Sequence, residues 1–249
     1  LSTNHIELLI VRGASGKIIV AESVGAQNIT ALASRDQARP KTDSFVGMLP
    51  PKLAQIIINL AANQHEVDIV LDPFCGTGVV LQEAMLMDYH IYGSDLEPRM
   101  VQYSIDNLSW LDEKYPHVGD YRRVEIGNAT SHKWHQPEKI TTVAGETYLG
   151  KPLSALPPGD QLAKIMQEVN ALHHRFLENI SKQLKSGTRL CLAVPTWRGK
   201  YEFLHLSALD YLNDLGYNRV KFTHVENKDL IYHREGQVVG RELLVIIKK

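Results

Sequence analysis

The run LDPFCGTGVVLQEA, residues 71–84, constrains this chain more than any other stretch. The apolar segment DIVLDP (68–73) reads as a short buried strand ending in Asp72-Pro73, and Gly76-Thr77-Gly78 then turns the backbone into a helix over about 78–88. Glycines in such a turn reach conformations closed to other residues and let the backbone approach a ligand closely. The helix that follows aims unpaired N–H groups and its positive dipole end at the same place. A lone GxG is weak, since any doubly wound sheet carries glycine turns, but two further strand ends agree with it here. HIYGSD (90–95) closes on Gly93-Ser94-Asp95. An acid at that place accepts hydrogen bonds from a ribose diol, and Glu97 is a second candidate two residues on. RRVEIGN (122–128) closes on Gly127-Asn128-Ala129, where a side-chain acceptor reaches an adenine amino group.

No Gly-Lys-Ser/Thr follows the glycines, which excludes a Walker phosphate loop, and GTGVVL lacks the third glycine of the dinucleotide fingerprint. A nucleoside ligand without a pyrophosphate fits better, and S-adenosylmethionine is such a ligand.

The rest of the chain supplies the frame. Pro50-Pro51 opens PKLAQIIINLAANQ, where Leu53, Ile56, Ile57 and Leu60 keep helical spacing, and proline suits a helix start because the first N–H groups lack partners anyway. Beyond the glycine turn the pattern predicts a helix at about 97–109, a strand ITTVA (140–144), a helix at about 160–185, a strand TRLCLAVP (188–195), a helix near 201–215, and closing strands KFTHVEN (221–227) and RELLVIIKK (241–249). Alternating strands and helices make a parallel sheet covered on both faces. The last two strands have no helix between them and should pair antiparallel. The expected fold is therefore α/β and Rossmann-like, a seven-stranded, mostly parallel sheet with an antiparallel last strand. Upstream, HIELLIV (5–11) and KIIVAE (17–22) flank RGASG as a short β-hairpin, and the polar stretch 23–46 reads as an ordered linker. This sets a hairpin-and-linker segment at 1–46 and the main domain at 47–249.

Composition narrows the partners. The formal net charge is -1, from 27 basic and 28 acidic residues, whereas a dedicated nucleic-acid binder is more basic. Any nucleic-acid contact must use a local patch, or a module or partner outside this chain. The two cysteines, Cys75 and Cys191, cannot make a disulfide framework and have no metal-type spacing, so no metal site is expected and a reducing, cytoplasmic setting is. Cys75 in the glycine turn is given a packing role. No apolar run approaches the ~20 residues that cross a bilayer, and LSTNHIELL lacks a signal-peptide pattern, so no membrane association is expected. The chain starts on Leu1 rather than Met, which leads us to expect a domain upstream of it.

DPFCGTG, GSDLEPRM and GNAT, in this order and spacing, resemble class I S-adenosylmethionine-dependent methyltransferases. RDQARPKTDSFVGMLPPKLAQIIINLA (35–61) and LIYHREGQVVGRELLVIIK (230–248) resemble, more narrowly, THUMP-linked tRNA guanine-N2 methyltransferases, which modify guanosine 10 of tRNA. The resemblance covers roughly 35–249; the first 34 residues look like the connector that follows an RNA-binding THUMP domain, which is not expected within this stretch. It implies S-adenosylmethionine as cofactor, tRNA as substrate, and cofactor-binding roles for Met48, Leu49, Asp72, Pro73, Gly76, Thr77, Gly78, Asp95, Leu96, Asn128 and Ala129. A small zinc-bearing activator protein accompanies some relatives, which makes such a partner possible here.

The resemblance also locates the catalytic loop. Where the family carries Asp-Pro-Pro-Tyr, this chain has Gly145-Glu146-Thr147-Tyr148. A guanine amino lone pair is delocalised into the ring, so the enzyme must accept hydrogen bonds from its protons and aim it at the sulfonium methyl. The family motif does this with a carboxylate, a backbone carbonyl and a stacked ring. Glu146 supplies a carboxylate one methylene longer than aspartate, Thr147 keeps the carbonyl, and Tyr148 supplies the ring; the stiffness of proline is what is lost. Asn128 replaces the family's third-strand acid, with an amide oxygen as the acceptor.

Other residues are given plainer roles. His132-Lys133-Trp134-His135 reads as a surface loop and His173-His174-Arg175 as a solvated helix face. Trp197-Arg198-Gly199-Lys200 lies at the carboxyl end of the sheet and is a candidate RNA contact, as is a basic entrance from Arg35, Arg39 and Lys41. Two other functions compete with the RNA reading: a DNA amino-methyltransferase using the same loop chemistry, and a non-catalytic S-adenosylmethionine-binding subunit.

Overall fold

The computed structural model describes residues 6–43, 48–62, 69–115 and 122–249. His5 and Asp68, each expected to begin a strand, lie outside these, as does the expected boundary at 46/47. The chain divides into two units, Leu1–Ala38 and Arg39–Lys249.

In the first unit β1 (Leu8–Arg12) pairs antiparallel with β2 (Ile18–Glu22), in register from Leu8 opposite Glu22 to Arg12 opposite Ile18. The turn closes through Gly13 N–H on the Lys17 carbonyl at 2.8 Å, with Gly16 at a positive φ of 79°. The stretch taken as a linker contains a helix, α1 (Ile29–Gln37). Asn28 caps it, its side-chain oxygen accepting from Ala31 N–H at 2.9 Å, which serves one of the orphan donors of the first turn.

The second unit holds α2 (Pro51–Ala61), β3 (Ile69–Asp72), α3 (Val79–Leu86), β4 (His90–Asp95), α4 (Pro98–Lys114), β5 (Arg122–Ile126), β6 (Ile140–Glu146), α5 (Gly159–Ser181), β7 (Arg189–Arg198), β8 (Phe203–Leu204), β9 (Tyr217–Arg219), β10 (Ile231–Tyr232) and β11 (Val239–Lys248). The sheet runs β10-β11-β7-β6-β3-β4-β5, with β8 on β7 and β9 on β11. The five strands β5, β4, β3, β6 and β7 are mutually parallel, while β11 runs antiparallel to β7 over Val239–Ile247. The expected architecture is therefore present, with seven strands on the main path and two short ones among the described residues. On one face α2, α3 and α4 cover Val70, Ile91, Ala144 and Val245. On the other, α5 lays Leu162, Val169, Phe176, Leu177 and Ile180 against Leu71, Tyr92, Val143 and Leu190. Burying each large apolar side chain contributes about 1.5–3 kcal/mol. In α2 the buried stripe is Leu53, Ala54, Ile57, Ile58 and Ala61, so Ile56 faces outward, 41% exposed.

Two expected elements are absent as drawn. The helix near 201–215 is replaced by β8, which pairs Leu204 with Trp197 and Phe203 with Arg198, followed by a 3-10 turn at Ser207–Tyr211. The strand at 221–227 is replaced by an isolated bridge between Phe222 and Val225. The edge of β11 is occupied instead at its two ends, by β9 opposite Ile246–Lys248 and by β10 opposite Arg241 and Glu242. The chain between them crosses over with its polar residues exposed.

Candidate active site

The carboxyl ends of β3, β4, β5 and β6 open onto one cavity of about 530 Å³, within the usual range for small-molecule sites. Met48, Leu49, Asp72, Pro73, Gly76, Thr77, Asp95, Leu96, Asn128, Ala129, Glu146, Thr147 and Tyr148 all line it. Gly78 does not. It caps α3 at φ 82°, and a Cβ there would lie 2.9 Å from Ser104 Oγ. Its backbone packs the turn closely on α4.

The glycine turn is held from three sides. Gly76 N–H donates to Asp95 Oδ2 at 2.9 Å, Cys75 N–H to the Ser94 carbonyl at 2.9 Å, and Ser104 Oγ–H to the Gly76 carbonyl at 2.8 Å. Asp95 Oδ1 accepts from Glu97 N–H at 3.0 Å. Burial raises the Asp95 carboxyl above its ordinary pKa, against the pull of these backbone donors. Asp72 is also buried; its Oδ1 accepts from Phe74 N–H at 3.1 Å, and burial pushes its pKa well up, with Asp95 and Glu146 adding to the rise. Cys75 is buried and its thiol pKa is likewise raised, first by burial, which suits packing.

The segment before α2 is tied to the turn by buried Asn107. Its Nδ2 donates to the carbonyls of Lys41 (2.9 Å) and Thr77 (2.8 Å), and its Oδ1 accepts from Lys41 N–H at 2.9 Å. Arg39 is buried and donates to Met48 Sδ at 3.3 Å, while Lys41 pairs with Asp106 at 3.5 Å. Arg39 therefore steadies a wall of the cavity and does not form a basic entrance.

Asn128 differs from its expected role in one respect. Its Oδ1 accepts from both Thr130 N–H (3.0 Å) and Thr130 Oγ–H (2.8 Å). Both lone pairs are used, so the amide offers a ligand its N–H donors rather than an acceptor.

The loop after β6 is anchored by partners the sequence did not reveal. Glu146 Oε2 forms an ion pair with Arg241 Nε, and both side chains are largely buried. Burial raises the Glu146 carboxyl above its ordinary pKa, opposed by Arg241 and Arg234. Gly145 leaves room for Asp72, since a Cβ there would lie 2.4 Å from Asp72 Oδ1. Thr147 N–H donates to the Ala193 carbonyl at 3.0 Å and its hydroxyl meets His173 Nε2 at 2.7 Å. His173 is thus buried in α5, 1% exposed, rather than on a solvated face. Its place was legible: Val169, Phe176, Leu177 and Ile180 sit at helical spacing around it. Tyr148 is 43% exposed at the cavity.

The HKWH run also differs from a free surface loop. Trp134 is buried and donates from Nε1 to Ser94 Oγ at 3.1 Å, and His132 bonds Glu125 at 2.8 Å. In the WRGK run Trp197 is buried and Arg198 ends β7, leaving Lys200 exposed beside the exposed ring of Tyr201.

The cavity wall carries five carboxylates, Asp43, Asp72, Asp95, Glu97 and Glu146, and no Lys, Arg or His among the described residues. Such a site disfavours phosphate-rich ligands and favours a cationic one. Among the described residues no group of three or more His, Cys, Asp or Glu is placed to hold a metal ion. An α/β sheet of this order with a glycine turn and a spaced acid at its carboxyl edge defines the fold of class I methyltransferases. TrmN from Thermus thermophilus has the same fold, with a TM-score of 0.55 at 17% identity, covering 100% of this chain and 61% of that one. So has magnesium protoporphyrin IX methyltransferase from Synechocystis PCC 6803, with a TM-score of 0.51 at 14% identity over 91% of this chain and 100% of that one.

Residues 39–213 match the family described as UPF0020, RMKL-like methyltransferase domain, and the chain belongs to that family. Two curated relatives are named tRNA (guanine(10)-N2)-dimethyltransferase. The one from Methanothermobacter thermautotrophicus is 31% identical over 162 residues, covering 64% of this chain and 43% of that protein. The one from Pyrococcus abyssi is 31% identical over 172 residues, covering 68% of this chain and 43% of that protein. The chain therefore spans less than half the length of either.

Proposed function

We propose that this chain transfers a methyl group from S-adenosylmethionine to the exocyclic N2 amino group of a guanosine in tRNA, at position 10 as the relatives' names specify. The observation that carries this is the meeting of two loops on one cavity: the glycine turn with Asp95, and Glu146-Thr147-Tyr148 at the end of the neighbouring strand β6.

The residues fit the cofactor. Asp95 keeps a lone pair for a ribose diol beyond its bonds from backbone N–H groups. Met48, Leu49, Val79, Leu96 and Met100 supply apolar walls for a purine. Asn128 N–H groups complement an adenine ring nitrogen rather than its amino group. The buried acids, Asp72 first, suit the ammonium and sulfonium charges. When bound, S-adenosylmethionine supplies an electrophilic methyl group on sulfur. This chain's residues do the positioning, which can be worth several kcal/mol. Tyr148 stacks on a guanine taken out of its helix. Glu146 and the Thr147 carbonyl accept from the amino protons; as the new N–C bond formed, the sulfur–methyl bond would break with its electron pair left on the thioether sulfur, and the proton lost from nitrogen would pass to Glu146.

RNA docking falls to elements beyond the cavity, since the chain is near neutral. Lys200 and Tyr201 beside the sheet's carboxyl end are a local contact we assign to RNA, and a small activator protein is a further proposed partner. No described helix is long and apolar enough to cross a membrane. Both cysteines are free and buried, which suits a reducing, cytoplasmic setting. Domains divide as a hairpin-bearing segment and a methyltransferase domain. A non-catalytic cofactor-binding subunit is the second reading, favoured by the Glu146–Arg241 pair, which ties up the loop's carboxylate.

The test is methyl transfer to a tRNA transcript carrying guanosine at position 10, beside one carrying inosine, which lacks the amino group. Transfer to the first alone supports the reading; equal transfer to both refutes it. Full turnover by Glu146→Gln would exclude a required carboxylate, and bound cofactor without transfer to any nucleic acid would favour the second reading.

A further inference from the structure

We propose that His173, acting through Thr147, is a positioning residue that holds the Glu146-Thr147-Tyr148 loop in its methyl-accepting geometry; the proposal rests on the methyl-transfer reading above. Thr147 lies between the two side chains that meet the base, and it is 3% exposed. Its hydroxyl is 2.7 Å from His173 Nε2, and His173 Nδ1 is 2.7 Å from the Val169 carbonyl. A carbonyl only accepts, so Nδ1 carries the proton and Nε2 is the acceptor. The Thr147 hydroxyl must therefore donate to it. Burial lowers the His173 pKa to about 4, so the ring stays neutral and keeps this arrangement at neutral pH.

The backbone of Thr147 is fixed separately by its N–H on the Ala193 carbonyl at 3.0 Å; the hydroxyl's single proton goes to the nearer His173 Nε2, at 2.7 Å against 3.2 Å to that carbonyl. A residue with free φ is thus tied to β7 on one side and to α5 on the other. The same stripe of α5 reaches the other half of the cavity. Phe176, one turn on from His173, meets Phe74 of the glycine turn edge-on, ring centres 4.9 Å apart. One helix therefore sets the spacing between the turn that would hold the methyl donor and the loop that would hold the acceptor. Misplacing such groups by about 1 Å costs on the order of a hundredfold in rate.

The test compares His173→Leu, His173→Gln, Thr147→Val and Thr147→Ser in the full chain. It measures kcat, the Kd for S-adenosylmethionine, and amide hydrogen exchange across 145–150. His173→Leu and Thr147→Val are expected to lower kcat by about tenfold or more with Kd changed by less than about twofold. Thr147→Ser, which keeps the hydroxyl, and His173→Gln, whose side-chain carbonyl accepts from it, are expected to recover most of kcat. Exchange should quicken across 145–150 in the two damaging variants while 69–95 stays protected. A kcat within about twofold of wild type in both, or a loss of protection spread over the whole sheet, would overturn the proposal. If the wild-type chain transfers no methyl group, the reaction reading fails on its own. Exchange across 145–150 then decides this proposal, with unchanged protection in His173→Leu refuting it.

Discussion

Replacing Arg241 with methionine removes the guanidinium that faces Glu146 and keeps most of the side-chain volume. The Arg241 and Glu146 side chains are 8% and 16% exposed, so the carboxylate left behind has little water to replace its partner. Breaking one side of a buried pair typically costs about 3–5 kcal/mol. In a chain of this size that corresponds to a drop in melting temperature of about 6–20 °C. The loss should depend on pH in a defined direction. Burial already raises the Glu146 pKa in the folded protein, with Arg241 opposing it. Without Arg241 the folded-state pKa rises further, so the folded chain binds more protons than the unfolded one above the ordinary glutamate range, and stability falls as pH rises. The variant should lie nearest to wild type at about pH 5 and furthest from it at about pH 8. Adding Glu146→Gln should restore most of the loss and flatten its pH dependence, because the carboxylate left without its Arg241 partner is then gone. Urea unfolding of the four proteins at both pH values gives the coupling energy. A loss below about 1 kcal/mol, as for an exposed pair, or one that the second change does not relieve, would refute the argument.

Tyr148→Phe should leave kcat/KM for tRNA within about threefold and Tyr148→Ala should lower it by about tenfold or more, since base stacking is worth ~1–3 kcal/mol; equal activities would remove the stacking role. Asp95→Asn should weaken S-adenosylmethionine binding by about ten- to a hundredfold in calorimetry, the size of a lost hydrogen bond to a charged group. Gly78→Ala should destabilise the fold by about 1–3 kcal/mol, because φ is 82° there and the new Cβ would meet Ser104; a melting temperature equal to wild type would show that the turn relaxes freely. Gly145→Ala should impair cofactor binding more than stability, because its Cβ would displace the Asp72 carboxylate from the cavity wall; unchanged affinity would show that Asp72 does not set the site.

What the sequence disclosed was what local pattern controls. A buried strand, a glycine turn and an apolar helix are contiguous in 71–84, and each successive strand end carries its own polar punctuation. The parallel sheet followed from the alternation alone. What stayed hidden depends on partners distant in the chain. The leucines at 204, 206, 209, 212 and 215 have a helix-like rhythm, but Phe203 and Leu204 are taken by pairing with β7, and Gly216 at φ 85° ends the segment. Between them the chain closes only a 3-10 turn at Ser207–Tyr211, with Leu206 and Leu209 buried. The strand at 221–227 lost its place because β9 and β10 fill the ends of the same edge. Arg241 sits 95 residues from Glu146 and reads as an ordinary cation before a buried strand. Only pairing of β11 on β7, next to β6, brings the two together. His173 is the opposite case: its neighbours at helical spacing marked it as inward-facing, and the adjacent exposed His174 and Arg175 obscured that.

The account rests on a loop that carries Glu-Thr-Tyr and still performs transfer. The most direct measurement is nucleoside mass spectrometry after incubating the chain with S-adenosylmethionine and unmodified tRNA, with Glu146→Ala alongside. The account predicts N2-methylguanosine with the wild-type chain and none with the variant. Cofactor bound by both proteins, with no methylated guanosine from either, would contradict it.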